Sequence, residues 1–251
     1  MLVLGHRGAP REAPENTLAS FEAALRAGAD GVELDVRLCA SGEVVCCHDP
    51  TLLRLAGEDV RVRTTSWESL RRSDLGGGAR LCLLDDALAL WAARGVVNVE
   101  LKPDDVDAPA LARATVVVIT RAPRGAVIVS SFDPALLDAV AALAPRLARG
   151  QLVPPFTRPE AGACLAALDR PGIAAVHPWH GDATPERVSA WRARRLDVNV
   201  WTVDDPARAA ALREAGAAMV ITNLPGAVLP SVRVEGDDAR RREVRDRLLQ
   251  R

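Results

Sequence analysis

A parallel (β/α)8 barrel of the triosephosphate isomerase type is the fold this sequence predicts, on three observations. The chain has 251 residues, the size at which such a barrel closes as a single domain. Short β-branched or apolar runs alternate with helical stretches along most of that length. Several helix ends carry their own punctuation, with a capping side chain or proline at the start and a glycine at the stop.

Taken in order, the candidate strands run Leu2 to Leu4, Gly31 to Leu38, Val44 to Cys47, Val96 to Leu101, Ala126 to Ser130, Ala148 to Val153, Ala174 to His177, Val198 to Val203 and Met219 to Thr222. Asn16 or Thr17 caps the helix carrying Leu18, Phe21 and Leu25, and Gly28 stops it. Thr184 with Pro185 and Asp205 with Pro206 each place a cap before a proline at the first helical position, and Gly216 closes the second of these helices. Nine strands are one more than the barrel holds. Ser41-Gly42 between two extended runs predicts a tight hairpin, with Val44 to Cys47 running back along Gly31 to Leu38 and Asp35 facing His48.

The barrel domain is expected over residues 1–230, with a less periodic insertion at about 49–84 that is partly ordered around Trp67 and Leu70. Residues 231–251 form a charged, helical tail, in which Val244, Leu248 and Leu249 recur at helical spacing. A solvated terminal helix is the first expectation for it, and a contact between copies in a homo-oligomer is the alternative.

The 32 basic residues balance 33 acidic ones, for a formal charge of −1 and a pI near 6.4, which argues against an extended nucleic-acid-binding face. At 49% hydrophobic and 26% charged the composition is that of a soluble globular protein. No apolar run is long enough to span a bilayer, and a motif-bearing segment begins within five residues of Met1, so a cytoplasmic protein without membrane insertion is expected. The five cysteines form no Cys-x-x-Cys pair and read as reduced core thiols. Among the 32 basic residues only Lys102 is a lysine.

In such barrels chemistry belongs at the carboxyl ends of the strands. There the sequence places His6-Arg7, then Glu33 and Asp35, then His48, then Glu100 and Lys102. Residues two apart on a strand share a face. Three inward carboxylates would repel one another and suffer desolvation unless a cation neutralised them, and an all-oxygen donor set favours one hard divalent ion, Mg²⁺ or Ca²⁺. Arg7 and Lys102 suit a phosphate, while His6 and His48 suit proton transfer near neutrality. These are the parts of metal-assisted phosphoryl chemistry. His177 and His180 fit no such set and read as structural or rim residues; Trp201 is either core or a wall of the pocket.

The segments HRGAPREAPENTLASFEAALRAGADGVELDV, SGEVVCCHDPTLLR, NVELKP, SSF, NVWTVDD and AAMVITNLP closely resemble, in order, the motifs of the glycerophosphodiester phosphodiesterase family of cytosolic bacterial type. The resemblance covers residues 5 to about 226. It implies a barrel of the phospholipase-C-like phosphodiesterase kind that hydrolyses small glycerophosphodiesters to sn-glycerol 3-phosphate and an alcohol. By position it implies His6 and His48 as acid and base, Glu33, Asp35 and Glu100 as metal ligands, and Arg7 and Lys102 as phosphate contacts. Glu15 and Asn16, in the Pro-Glu-Asn-Thr block, are expected to hold the first loop against the site.

Three departures from the family pattern stand out. Arg54-Leu55-Ala56 replaces Arg-Thr-Thr, Ile221-Thr222-Asn223 replaces Ile-Thr-Asp, and a proline is missing at Leu83-Leu84-Asp85. The competing readings are another phosphodiesterase of this barrel type working through a cyclic phosphate, and a catalytically silent phosphodiester-binding barrel.

Overall fold

The computed structural model describes residues 1–91, 93–103, 108–234, 236 and 238–249. Its strands are β1 (Leu2–His6), β2 (Gly31–Leu38), β3 (Val44–Cys46), β4 (Val96–Leu101), β5 (Ala126–Ser131), β6 (Ala148–Val153), β7 (Ile173–Pro178), β8 (Asp197–Val200) and β9 (Met219–Thr222). Eight of them pair in parallel in the order β1-β9-β8-β7-β6-β5-β4-β2, and a β1–β2 pairing closes the ring. The barrel is therefore complete without β3.

β3 is the return arm of a hairpin, antiparallel to β2, with Val36 opposite Cys46 and Leu38 opposite Val44. The physical reason for its place is the length of β1. That strand stops at His6, beside Glu33, so the upper part of β2 lacks a neighbour on that side and β3 supplies one. The register differs by one residue from the expected one. Asp35 lends its carbonyl to the N–H of Cys47 at 3.0 Å, so Cys47, not His48, is its main-chain partner.

The helices are α1 (Leu18–Arg26), the short α2 (Leu53–Ala56) and α3 (Trp67–Leu70), then α4 (Leu84–Trp91), α5 (Ala108–Arg121), α6 (Pro134–Leu143), α7 (Ala161–Ala167), α8 (Pro185–Ala193), α9 (Pro206–Ala215), α10 (Pro225–Val232) and α11 (Asp238–Leu249). Thr17, not Asn16, caps α1 by accepting the Ser20 N–H. Thr184 and Asp205 cap α8 and α9 ahead of their prolines, and Gly216 ends α9 in the left-handed region at φ 97°. The insertion gathers Cys39, Val45, Cys47, Leu52, Val62, Leu70, Leu75 and Leu81 into a small core of its own, with Trp67 packed on it.

Residues at the amino ends of the strands, among them Leu2, Val96, Ala126, Ala148 and Met219, form a buried cluster with Val244 and Leu248 of α11. The apolar stripe of the terminal helix thus seals the lower mouth of the barrel, while its arginines reach outward to Asp30 (from Arg241) and Asp197 (from Arg247, 2.6 Å). This closure leaves the carboxyl ends of the strands as the open mouth. No helix among the described residues is long and apolar enough to cross a membrane.

Candidate active site

The loop after β1 is shaped by backbone conformation. Arg7 and Gly8 both adopt positive φ, 54° and 92°. A Cβ on Gly8 would lie 2.4 Å from Ser20 Oγ, so only glycine lets this turn rest on α1. Ser20 secures it, donating from Oγ to the Arg7 carbonyl (2.9 Å) and accepting from the Ala9 N–H (2.8 Å). The turn sends the Arg7 N–H to Glu33 Oε2 at 3.0 Å. It also places the Arg7 guanidinium between Glu15, where Nη1 donates to Oε1 at 2.8 Å, and Asp35, whose Oδ2 lies 3.2 Å from Nε.

Strand alternation puts Glu33 and Asp35 on one face of β2 and Asn98 and Glu100 on one face of β4, with Lys102 one residue past its end, and the paired register sets Asp35 beside Glu100. All five are buried. A carboxylate oxygen of each of Glu33, Asp35 and Glu100 lies within 4.8 Å of those of the other two. Lys102 Nζ stands 2.5 Å from Glu100 Oε1 and 3.0 Å from Asp35 Oδ1.

The electrostatics follow from this packing. Burial, with the Asp35 and Glu100 charges, pushes the Glu33 carboxyl well above the usual range. Burial likewise raises Glu100, opposed by Lys102. Burial also works against the Asp35 anion, but the Lys102 ammonium and Arg7 guanidinium outweigh it and hold this carboxyl below the ordinary range. Glu33 Oε1 is buried with no hydrogen-bond partner among the described residues. A buried carboxylate oxygen without a donor, in a cluster of oxygen ligands, fits a hard divalent cation.

Each of the two histidines has its Nδ1 engaged by a neighbouring side chain. His6 Nδ1 is engaged by Asn223 Oδ1 at 2.7 Å, and its Nε2 lies 3.9 Å from Glu33 Oε2. Burial, then the Arg7 charge, lowers its pKa to about 4. His48 Nδ1 meets Asp49 Oδ1 at 2.7 Å, and burial lowers the pKa of this ring too. Both imidazoles line one cavity of about 160 Å³ together with Arg7, Glu33, Glu100 and Lys102. Trp201 and Leu152 give it an apolar side, on which Phe132 meets the Trp201 ring edge to face at 5.5 Å between centroids.

Glu15 and Asn16 stand behind this cavity. The Asn16 amide grips Asp35 twice, Nδ2 donating to Oδ2 at 2.8 Å and Oδ1 accepting the Asp35 N–H at 3.1 Å. Glu15 ties Arg7 to Arg54. Of the other histidines, His177 is buried against Gly150, where a Cβ would come within 2.3 Å of its Nε2, and that nitrogen lies 2.9 Å from Asn199 Nδ2. His180 packs on Trp179 away from the cavity.

Sequence reasoning gave no site role to several residues that touch this constellation. Asn98 and Phe132 line the cavity, Asn223 contacts His6, and Asp204 holds Asn223. A signal existed for Asn98, whose spacing to Glu100 and Lys102 carries the same two-residue beat. No local pattern announces the pairing of Asp204 with Asn223, which depends on two loops meeting.

The model of the glycerophosphoryl diester phosphodiesterase family matches residues 6–227 of the chain. A glycerophosphodiester phosphodiesterase of Caldanaerobacter subterraneus subsp. tengcongensis is 30% identical over 249 residues, covering 94% of this chain and 99% of its own. Among solved structures, an Oleispira antarctica phosphodiesterase in complex with the product sn-glycerol-3-phosphate superposes with a TM-score of 0.84 at 28% identity, covering 92% of this chain and 96% of that one. The glycerophosphodiester phosphodiesterase of Thermotoga maritima superposes with a TM-score of 0.77, also at 28% identity, covering 92% and 97%.

Proposed function

The chain belongs to the glycerophosphoryl diester phosphodiesterase family and hydrolyses glycerophosphodiesters, and we propose that His6 and His48 carry its proton transfers while Arg7 and Lys102 hold the phosphate. Glu33, Asp35 and Glu100 hold one divalent cation, Mg²⁺ or Ca²⁺, both of which suit oxygen ligands. The products are sn-glycerol 3-phosphate and an alcohol. One observation carries this reading: two imidazoles, two cations and two of the three clustered carboxylates border a single cavity at the open mouth of the barrel.

The division of labour follows from the contacts. Each imidazole has its Nδ1 occupied by a side chain outside the cavity, Asn223 for His6 and Asp49 for His48. Nε2 is then the nitrogen available for chemistry. One ring takes a proton from the attacking oxygen as the new P–O bond forms; the other gives a proton to the alkoxide as the old P–O bond breaks. Lys102 offers a compact charge and Arg7 a planar fork to the non-bridging oxygens. When bound, the cation adds charge neutralisation at the phosphoryl oxygens. Trp201, with Phe132 and Leu152, presents an apolar wall to the carbon skeleton of the substrate. Five free thiols fit a cytoplasmic setting.

The test compares leaving groups. A choline or ethanolamine alkoxide needs an acid to depart, and a nitrophenolate needs little help. Alanine at the acid histidine slows an alkyl diester by about 10²- to 10⁴-fold and a nitrophenyl diester much less, whereas alanine at the base histidine slows both. Equal losses on both substrates in both variants would overturn the division of roles. Metal-supplemented protein that released no sn-glycerol 3-phosphate from any of a panel of glycerophosphodiesters would overturn the substrate class.

A further inference from the structure

Three neighbouring strands bring three side chains into line at the rim. Asp204 follows β8, Asn223 follows β9, and His6 ends β1. Asp204 Oδ1 accepts from the Asn223 N–H at 2.8 Å and from Thr222 Oγ1 at 3.0 Å, which anchors the carboxylate. Its Oδ2 accepts from Asn223 Nδ2 at 2.8 Å. Asn223 Oδ1 meets His6 Nδ1 at 2.7 Å.

The donor and acceptor inventory leaves one solution for this row. An ionised carboxylate only accepts, so the amide must turn its NH₂ toward Asp204 and its oxygen toward His6. An amide oxygen also only accepts, so His6 Nδ1 must carry the hydrogen. A neutral imidazole has one N–H, and the lone pair therefore sits on Nε2, on the cavity side of the ring.

We propose that Asp204 and Asn223 act as a pair of positioning residues that fix His6 in its Nδ1–H tautomer and ring orientation, so that Nε2 presents its lone pair to the reacting phosphodiester. The inference rests on the reading of His6 as a proton-transfer group and adds how that group is set. The chemistry of residue 223 explains its type. A carboxylate here would stand against the Asp204 carboxylate; a neutral amide supplies the acceptor without that repulsion.

The experiment uses the full chain with saturating Mg²⁺ or Ca²⁺ and glycerophosphocholine as substrate. Asn223→Ala is expected to lower kcat by about 10- to 100-fold, the usual cost of losing a partner that orients a working imidazole, with KM nearly unchanged. In ¹⁵N spectra the His6 ring of this variant should move from the Nδ1–H pattern toward a mixture of tautomers. Asn223→Asp alone should be comparably impaired, because it sets two carboxylates together. Adding Asp204→Asn to it exchanges the two groups while keeping every donor and acceptor, and should restore most of kcat. This double variant also separates a loss of positioning from a loss of folding.

Wild-type kcat in Asn223→Ala, an unmoved His6 tautomer, or a double variant no better than Asn223→Asp would each overturn the proposal. His6→Ala, measured alongside, separates the two levels of the argument. If it is inactive while Asn223→Ala is fully active, only the positioning role falls. If His6→Ala itself keeps wild-type kcat, the role of His6 falls and the proposal falls with it.

Discussion

Arg54 holds Glu15 through both carboxylate oxygens, at 2.6 and 3.0 Å, and so joins α2 to the loop after β1, 39 residues away in the chain. Its Nε also donates to Asp49 at 2.5 Å. The result is an unbroken row of polar contacts running from His48 through Asp49, Arg54 and Glu15 to Arg7 and Asp35. The loop carrying one histidine is thereby tied to the loop carrying the phosphate-facing arginine. Because the Arg54 side chain is about half exposed, solvent screens these pairs and their share of global stability is small. The function of the row is alignment.

Arg54→Ala is accordingly expected to leave the melting temperature nearly unchanged and to lower kcat/KM by about tenfold, partly through a higher KM as Arg7 loosens. Arg54→Lys should rescue little, since an ammonium cannot reproduce the fork that grips Glu15. Steady-state kinetics on glycerophosphocholine, with thermal melts of the same samples, checks both statements. A full rescue by lysine would show that charge alone suffices there.

Three buried carboxylates with one donorless oxygen on Glu33 predict a strong response to divalent ions. Chelated protein should be inactive, and Mg²⁺ or Ca²⁺ should restore activity and also raise thermal stability. An ion at 100 times its dissociation constant stabilises the fold by about 2.7 kcal/mol if it binds only the folded state. Glu33→Gln removes one charge from the cluster, so it should weaken ion binding in a titration while raising the melting temperature of the ion-free protein. If chelation changed neither rate nor melting temperature, the carboxylates would have to be neutralised by protons, Lys102 and Arg7.

Lys102 is the one lysine of the chain, and its ammonium sits between Glu100 and Asp35. Arg, the default cation everywhere else, is wider and planar. Lys102→Arg should therefore lower kcat/KM by roughly 100-fold, by displacing both the carboxylates and the phosphate. Kinetics indistinguishable from wild type would mean that any cation serves at this position.

The parts of this architecture that depend on local pattern were legible in the sequence. Val96–Leu101 and Gly31–Leu38 announce themselves by β-branched runs, and the two-residue spacing of Glu33 with Asp35 and of Glu100 with Lys102 suffices to aim them at one cavity. Thr184-Pro185 and Asp205-Pro206 mark α8 and α9 because caps act within one turn. What was not legible depends on distance. The hairpin register is a local exception: it slipped by one residue because the turn spans three residues, Ala40 to Gly42 with Gly42 at φ 98°, and the Cys39 N–H bonds the Glu43 carbonyl across it. The seating of α11 under the barrel needs the strand ends it covers, and the Asn223 contact to His6 needs the ring to close.

His177 offers a test of the core beneath the site. It is buried, Nε2 faces the Asn199 amide, and Nδ1 has no partner among the described residues. Burial lowers its pKa from 6.5 to about 3. Below pH 6.5 the unfolded chain takes up a proton at this position and the folded protein does not, so the fold loses stability as pH falls, and the loss continues until the folded pKa is reached. The stabilising contribution is complete above about pH 6.5. Moving from pH 7 to pH 5 should cost about 2 kcal/mol through this residue alone. His6 and His48 shift in the same direction, but they do so in wild type and variant alike. His177→Gln keeps an acceptor for Asn199 and removes the titration, so although the variant is less stable at pH 7, it should lose about 2 kcal/mol less than wild type over the same interval. Urea unfolding at pH 7 and pH 5, with chelator present to remove any metal contribution, measures the difference. Parallel losses in the two proteins would show that His177 accepts its proton in the folded state at ordinary pH, and that the interior around Asn199 is far better solvated than its packing implies.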